Sequence, residues 1–294
     1  MSEPPPALPD LFAQRAATLG ASLAPTGRRV LRFIDQNRAE VLAHSAAELA
    51  ARIGTSDATV VRTVQALGFS GLAELRRALV ATLGRPSTPA DDMRRTLDDV
   101  GASTGLAVDM VLDAHEEAMA SLRSAASRAQ IAAAVNALHG AERIAVFGIG
   151  PSAPLAAYVA LLLGRAGRRS TCLDATGLAL ADGLLDLRAG DAVLALAYGR
   201  AYREVAAVSA EARRLGLPIV LISDGSGFAG LADVVVAIPR GRAQRVALHG
   251  ATLVGLEALV LGLAAAGRAQ AMAALERLNR LRRAVSGQRD DAEP

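Results

Sequence analysis

The sequence predicts two linked folds: an all-α helix-turn-helix domain, then an α/β flavodoxin-like domain with a five-stranded parallel sheet. Three observations predict this. Residues 45–79, SAAELAARIGTSDATVVRTVQALGFSGLAELRRAL, place caps and glycines at the offsets of a tight helix-turn-helix. From Arg143 onward, short apolar runs alternate with helical segments. Between the two, GRPSTP at 84–89 is the clearest break in the chain.

The first helix of the motif opens at Ser45, an N-cap with Glu48 three residues on as its capping-box partner. Leu49, Ala50 and Ile53 form its apolar side, and the small Ala50 allows a close crossing. Gly54 closes the helix where a positive φ is needed, and Thr55-Ser56-Asp57 supplies the next cap. The second helix, 58–67, buries Val60, Val64 and Leu67. Ser56, Asp57, Thr59, Arg62 and Gln65 are left toward solvent, and such side chains read base edges in the major groove. Two ordinary core helices would also be amphipathic, but they would not need both caps, the small residue and the glycine at these offsets.

Flanking segments extend this domain. Residues 11–22 suit a short helix. Thr26 starts a longer one, with Val30, Leu31, Phe33, Ile34, Val41 and Leu42 at helical spacing. Residues 71–83 continue the helical set with Arg76 and Arg77 exposed. Residues 91–104 are polar and set no clear pattern, whereas 106–125 and 128–139 read as two helices of a connecting arm.

The second half reads as strands RIAVFG, STCLD, AVLALAY, PIVLIS and DVVVAIP. Helices are expected at 153–166, 178–187 and 201–215, with a single turn near Leu231. Apolar strands alternating with helices imply a parallel sheet covered on both faces. A helix at 246–265 and a charged amphipathic helix at 269–285 follow. The resulting organisation is a tail and short helix at 1–25, a DNA-binding domain at 26–84, a linker and connecting helix at 85–127, the α/β domain at 128–268, and a final helix and tail at 269–294.

Composition sets further bounds. The 294 residues suffice for two domains. Aromatics make up only 3% of the chain, so Ala, Leu and Val must fill the core. There is no Lys, which removes Schiff-base chemistry. Residues 1–80 hold nine Arg against seven Asp and Glu, too weak a bias for a non-specific polyanion binder. The single Cys, Cys172, forms no internal disulfide and fits a reducing cytoplasm. MSEPPPALPD does not read as a signal peptide. The most apolar window, 250–267, carries Glu257 near its middle and reads as a buried helix rather than a membrane span. Glu257 itself is expected to be buried beside an Arg. The four His are scattered and no metal site or cofactor is expected.

The chain resembles RpiR-type bacterial transcriptional regulators, in which an N-terminal helix-turn-helix is joined to a SIS (sugar isomerase) domain that senses sugar phosphates. Leu49-Ala50, Gly54, Thr59-Val60, Arg62 and Leu67-Gly68-Phe69 carry the resemblance in the first half. FGIGPSA with Gly148, Gly150 and Ser152, Asp191 opening the third strand and Ala232-Asp233 opening the fifth carry it in the second. It covers residues 26 to about 266. One loop departs from the family. SIS domains hold phosphate with a Ser/Thr-rich loop after the third strand. Here that loop is Ala197-Tyr198-Gly199-Arg200-Ala201-Tyr202, without those hydroxyls.

Ligands of such sheets sit beyond the strand C-termini, at the switch point. Candidate effector residues follow. Gly150 and Ser152 lie in a strand-to-helix turn whose free N–H groups suit an anion. With Ala153 this turn completes a loose G-x-G-x-x-A, and Asp174 ends the next strand, as in dinucleotide sites. Tyr198 and Tyr202 flank Arg200, whose guanidinium could hold a phosphate or carboxylate. The plain alternative is that both tyrosines pack and Arg200 is solvated. His249 opens the last long helix, in a region that often completes a partner subunit's pocket in SIS domains. Candidate DNA-contacting residues are Ser45, Ser56, Thr59, Arg62, Gln65 and Arg76.

Together these readings predict a non-enzymatic regulator. Its partners are a double-stranded DNA operator and a small anionic metabolite, and it assembles as a homodimer or homotetramer. The alternatives are a phosphosugar isomerase or lyase, and a regulator responsive to nicotinamide dinucleotide.

Overall fold

The computed structural model describes residues 10–83, 88–199, 202–225, 228, 230–242 and 244–286. The chain divides into two compact units, Met1–Ala102 with Arg242–Val246, and Ser103–Gly241 with Ala247–Pro294.

The first unit is helical. α1 (Leu11–Leu19) is capped by the Asp10 carboxylate, which accepts the Ala13 N–H. α2 (Pro25–Gln36) begins on a proline, whose fixed φ suits a first helical turn. The helix expected to run on through Leu42 stops instead at Asn37. The Asn37 N–H and side-chain amide both donate to the Phe33 carbonyl, at 2.9 and 3.0 Å, so the turn closes and α3 (Arg38–Ala43) starts afresh. α4 (Ala46–Ile53), α5 (Asp57–Ala66) and α6 (Leu72–Leu83) follow. Val30, Ile34, Leu49, Val60, Val64 and Leu67 meet in one core.

α7 (Pro89–Val100) occupies most of the polar stretch at 91–104. Thr88 and Asp91 close a capping box, and Pro89 sits in the first turn. The Arg242–Val246 segment folds with this helix. Arg245 Nε donates to Asp99 Oδ2 at 2.5 Å, and the Val246 N–H donates to Thr96 Oγ1 at 3.0 Å. These bonds hold Val246 out of the last long helix, which starts at Gly250 rather than at Val246.

The second unit opens with α8 (Thr104–Leu122) and α9 (Ala125–His139). Then β1 (Arg143–Phe147), α10 (Ala153–Arg165), β2 (Arg169–Leu173), α11 (Leu178–Leu185), β3 (Asp191–Leu196), α12 (Arg203–Arg214), β4 (Ile219–Ser223) and β5 (Val234–Ala237) alternate, before α13 (Gly250–Ala266) and α14 (Arg268–Ser286). The five strands are all parallel, in the order β2-β1-β3-β4-β5, so the order in which strands are added reverses between β1 and β3. The expected turn near Leu231 is a single one, closed by the Leu231 N–H on the Phe228 carbonyl at 3.1 Å.

Period-2 alternation assigns the two sheet faces. Ile144, Val146, Leu194, Leu196, Val220 and Ile222 pack with Leu138, Val159 and Leu256 of α9, α10 and α13. Ala145, Phe147, Val193, Ala195, Ile219 and Leu221 pack with Leu180 of α11 and Val205 and Val208 of α12. At the N-terminal edge, Arg143 donates through Nε and Nη2 to Asp191, at 3.1 and 2.6 Å, and ties β1 to β3. Burial opposes the Asp191 charge, but Arg143 and the Arg188 N–H outweigh it and hold its pKa below the usual value.

Glu257 differs from expectation. It is exposed on α13 and accepts the Tyr158 hydroxyl at 2.9 Å, because it lies on the side of the helix turned from the core. Among the described residues, no single helix is long and apolar enough to cross a membrane, and no cluster of His, Cys, Asp and Glu could hold a metal ion.

Candidate functional site

In the first unit, local chemistry sets the geometry of α4 and α5. Ser45 accepts the Glu48 N–H, and Glu48 accepts the Ser45 N–H at 2.7 Å. Gly54 takes φ 72°, and the next N–H, from Thr55, returns to the Ala50 carbonyl at 2.9 Å. Ser56 caps α5 and its hydroxyl lies 2.8 Å from that of Thr59. Val60, Thr63 and Val64 face inward, leaving Ser56, Arg62 and Gln65 exposed and Thr59 half-buried. The candidates Ser56, Thr59, Arg62 and Gln65 thus share α5 and its cap, whereas Ser45 is spent on capping α4.

The charge pattern sharpens this site. Of the nine arginines between residues 1 and 80, six are engaged in structure. Arg15, Arg28 and Arg29 donate to the carbonyls of Gly68, Leu23 and Gly54. Arg38 pairs with Asp10 and Asp35, and Arg52 with Glu40. Arg76, expected to be exposed, is half-buried. It donates through Nε to the Val41 carbonyl at 2.9 Å and through Nη2 to the His44 carbonyl. It satisfies carbonyls at the end of α3 that have no partner within that helix. Of the remaining three, all exposed, Arg32 and Arg77 face solvent on α2 and α6, and Arg62 donates to the Ala58 carbonyl of its own helix at 3.2 Å.

In the second unit, the turn after β1 is glycine-dependent. A Cβ on Gly148 would lie 2.7 Å from the Ser152 carbonyl oxygen, and Gly150 takes φ 56°. Ser152 is buried in this turn and Asp174 is exposed at the end of β2. Among the described residues, no hydrogen bond links either to the cluster described next.

That cluster forms where β3, β4 and β5 end. Tyr198 continues the alternation of Leu194 and Leu196, so its ring enters the core on the α13 side. Its hydroxyl donates to Thr252 Oγ1 at 3.3 Å, and its ring meets that of His249 edge-on at 5.5 Å. The Arg240 guanidinium carbon lies 4.0 Å from the Tyr198 ring centroid, a cation–π contact. Arg240 also donates twice to Asp224 Oδ2, at 3.0 and 2.5 Å, while Asp224 Oδ1 accepts the Gly199 N–H at 3.0 Å.

Electrostatics follow from burial. Tyr198 is pushed up to about 12, chiefly because burial disfavours its phenolate. His249 is pushed below the ordinary histidine value, first by burial and then by the Arg240 charge. Its Nδ1 is buried without a hydrogen-bond partner among the described residues.

Of the expected effector residues, the structure brings together Tyr198 and His249. Tyr202 caps α12 and is 43% exposed. Arg200 lies outside the described residues. Arg240, Asp224, Thr252 and the Gly199 N–H were not anticipated as site groups. Position was the available signal, since Asp224 directly follows β4 and Arg240 lies three residues past β5.

Comparison with known proteins covers both units. The helix-turn-helix domain of the rpiR family matches residues 13–85, and the SIS domain matches residues 137–268. An uncharacterised HTH-type transcriptional regulator of Caldanaerobacter subterraneus is 23% identical over 205 residues, 70% of this chain and 71% of that protein. The sugar isomerase domain of an RpiR transcription factor from Sphaerobacter thermophilus is similar in fold, with TM-score 0.53 and 24% identity over 60% of this chain and 99% of that one. Vibrio vulnificus NanR, solved in complex with ManNAc-6P, is similar in fold at TM-score 0.50 and 22% identity, over 92% of this chain and 97% of that one. With both parts matched in this order, the chain belongs to the RpiR family of transcriptional regulators, a helix-turn-helix domain joined to a SIS domain.

Proposed function

We propose that this regulator reads a two-half-site operator through α5 and that a small anionic metabolite, a phosphosugar or related compound, controls operator binding from the SIS unit. Ser56, Thr59, Arg62 and Gln65 read bases, and Arg77 contacts the phosphate backbone. One short helix offers too few base contacts for useful specificity, so the reading requires a homodimer or homotetramer.

The observation that carries the effector half is the cluster of Arg240, Tyr198 and His249 at the strand C-termini. It supplies a cation, an aromatic ring and an imidazole whose Nδ1 has no hydrogen-bond partner among the described residues, where ligands of doubly wound sheets bind. The turn after β1 adds the Gly150 N–H at the same end of the sheet, since Pro151 has none and the Ser152 and Ala153 N–H groups close the turn on the Ile149 and Gly150 carbonyls. Arg200 and Tyr202 belong to the same loop as Tyr198, and Asp174 to the neighbouring one. The complex of NanR with ManNAc-6P supports the phosphosugar class. The role is regulatory and not catalytic.

Fluorescence anisotropy on an operator recovered by selection tests the reading, with N-acetylmannosamine 6-phosphate, glucose 6-phosphate and NADH added in turn. A phosphosugar is expected to shift operator affinity. A shift with NADH alone would replace the phosphosugar by a dinucleotide, and turnover of a sugar phosphate would overturn the non-enzymatic role.

A further inference from the structure

Three adjacent strands end in one polar knot. β4 lies between β3 and β5 in the sheet, with Leu196 opposite Ile222 and Ser223 opposite Ala237. Asp224 is the first residue past β4, so its carboxylate emerges between the loops that leave the flanking strands. One oxygen takes the Gly199 N–H from the β3 side at 3.0 Å. The other takes two N–H groups of Arg240 from the β5 side, at 3.0 and 2.5 Å. Asp224 and Arg240 side chains are 24% and 18% exposed, so the pair is shielded yet reachable from solvent.

A backbone N–H and a guanidinium converging on one carboxylate are the donors that hold a bound oxyanion. The Arg240 guanidinium is further fixed against the Tyr198 ring, so the cradle is preorganised. Beside it, the buried Nδ1 of His249 has no partner among the described residues, a costly omission in a site that never receives a ligand.

Resting on the effector reading above, we propose that Asp224 is an internal ligand. Its carboxylate fills an oxyanion subsite made of the Gly199 N–H and Arg240, and an effector's phosphate monoester must displace it to bind there. Asp224 thereby sets the threshold concentration of the effector. While it remains in place it repels a phosphate dianion and occupies its donors. Once displaced, it releases the bridge between the loops after β3 and β5.

The test is calorimetric titration of the full chain with inorganic phosphate, N-acetylmannosamine 6-phosphate and unphosphorylated N-acetylmannosamine. The proteins are the wild type, D224N, D224S and D224N/R240A. Either Asp224 variant suffices if it retains the wild-type circular dichroism spectrum, and the smaller serine serves if asparagine disturbs the loop. D224N or D224S is expected to bind the phosphate monoester at least tenfold more tightly than the wild type. D224N/R240A should lose that gain, and affinity for the unphosphorylated sugar should change by less than twofold. Equal or weaker phosphate binding by the variants, with the wild type binding, overturns the internal ligand and leaves the phosphosugar reading standing. Binding by the variants alone supports the internal ligand and counts against a phosphosugar as effector of the wild type. Binding by none of them overturns both.

Discussion

His249 meets Tyr198 edge-on, with ring centroids 5.5 Å apart and planes inclined at 74°. Each ring shields the other from water, and the two titrate in opposite directions from their ordinary values. Burial and the Arg240 charge hold the His249 pKa below the ordinary histidine value of 6.5, so the folded state penalises the imidazolium. The unfolded chain then binds more protons in the window below 6.5, and stability falls as the pH drops through it. An NMR titration should show one imidazole with a midpoint below 6.5, and H249A should flatten stability over the same window. A midpoint at or above 6.5 would contradict the burial.

Tyr198 provides the alkaline counterpart. Its pKa of about 12 against an ordinary 10.0 means that the folded state resists the phenolate. Stability should fall as pH rises from 10 toward 12, because the unfolded chain loses its proton first. Ultraviolet titration should resolve one tyrosine ionising late, and Y198F should remove that late step.

Arg76 and Arg62 should separate stability from recognition. Arg76 holds the Val41 and His44 carbonyls, and charged hydrogen bonds of this kind are worth about 1.5–3 kcal/mol. R76A should therefore lower the unfolding free energy of the first unit by roughly 2 kcal/mol. Arg62 is exposed and, among the described residues, its Nε bonds within its own helix, to the Ala58 carbonyl at 3.2 Å. R62A should leave the melting curve unchanged and abolish discrimination between operator and random DNA. R77A should weaken both DNAs alike and reduce the salt dependence by about one phosphate contact. Chemical denaturation and salt-dependent gel shifts read these outcomes. An R76A protein as stable as wild type would show the clamp to be idle.

Gln244 is the one described non-glycine residue with positive φ, at 58°, and its Oε1 is buried without a hydrogen-bond partner among the described residues. Both features cost free energy, about 1–2 kcal/mol for the left-handed backbone alone. Q244G should raise the melting temperature or leave it unchanged. A fall of several degrees would show that the amide makes a contact worth more than the strain.

Much of this fold is legible in the sequence because its determinants are local. The Ser45–Glu48 box, Gly54 and the Ser56 cap act within four residues, and strand alternation places even Tyr198 on its correct face. One misreading is itself local: Asn37 stops α2 by closing on the Phe33 carbonyl four residues back. Others depend on distant partners. Val246 stays out of α13 because its N–H meets Thr96, and Arg245 is drawn to Asp99, 146 residues earlier in the chain. Arg76 reads as exposed until α3 brings up its carbonyls. At the site, Asp224 and Arg240 become partners only through the register of β4 and β5, which composition and spacing do not reveal.

Arg143 illustrates the same point for stability. It joins Asp191 from 48 residues away, and the Asp191 side chain is only 7% exposed. R143A strands that carboxylate and should cost about 3 kcal/mol at neutral pH. Because the Asp191 pKa is lowered in the fold, this stabilisation is present above the unfolded value near 3.8 and is lost as pH falls through the folded value. The wild type and R143A should converge in stability under strong acid, as read by urea unfolding at stepped pH.

Control of the DNA-reading helix by the SIS unit is tested most directly by operator affinity with and without saturating phosphosugar, measured by anisotropy on one protein preparation. A change of at least fivefold is predicted, the lower end of ordinary allosteric coupling, and R62A should abolish specific binding in both states. An operator affinity that stays constant while calorimetry shows the phosphosugar bound would contradict it.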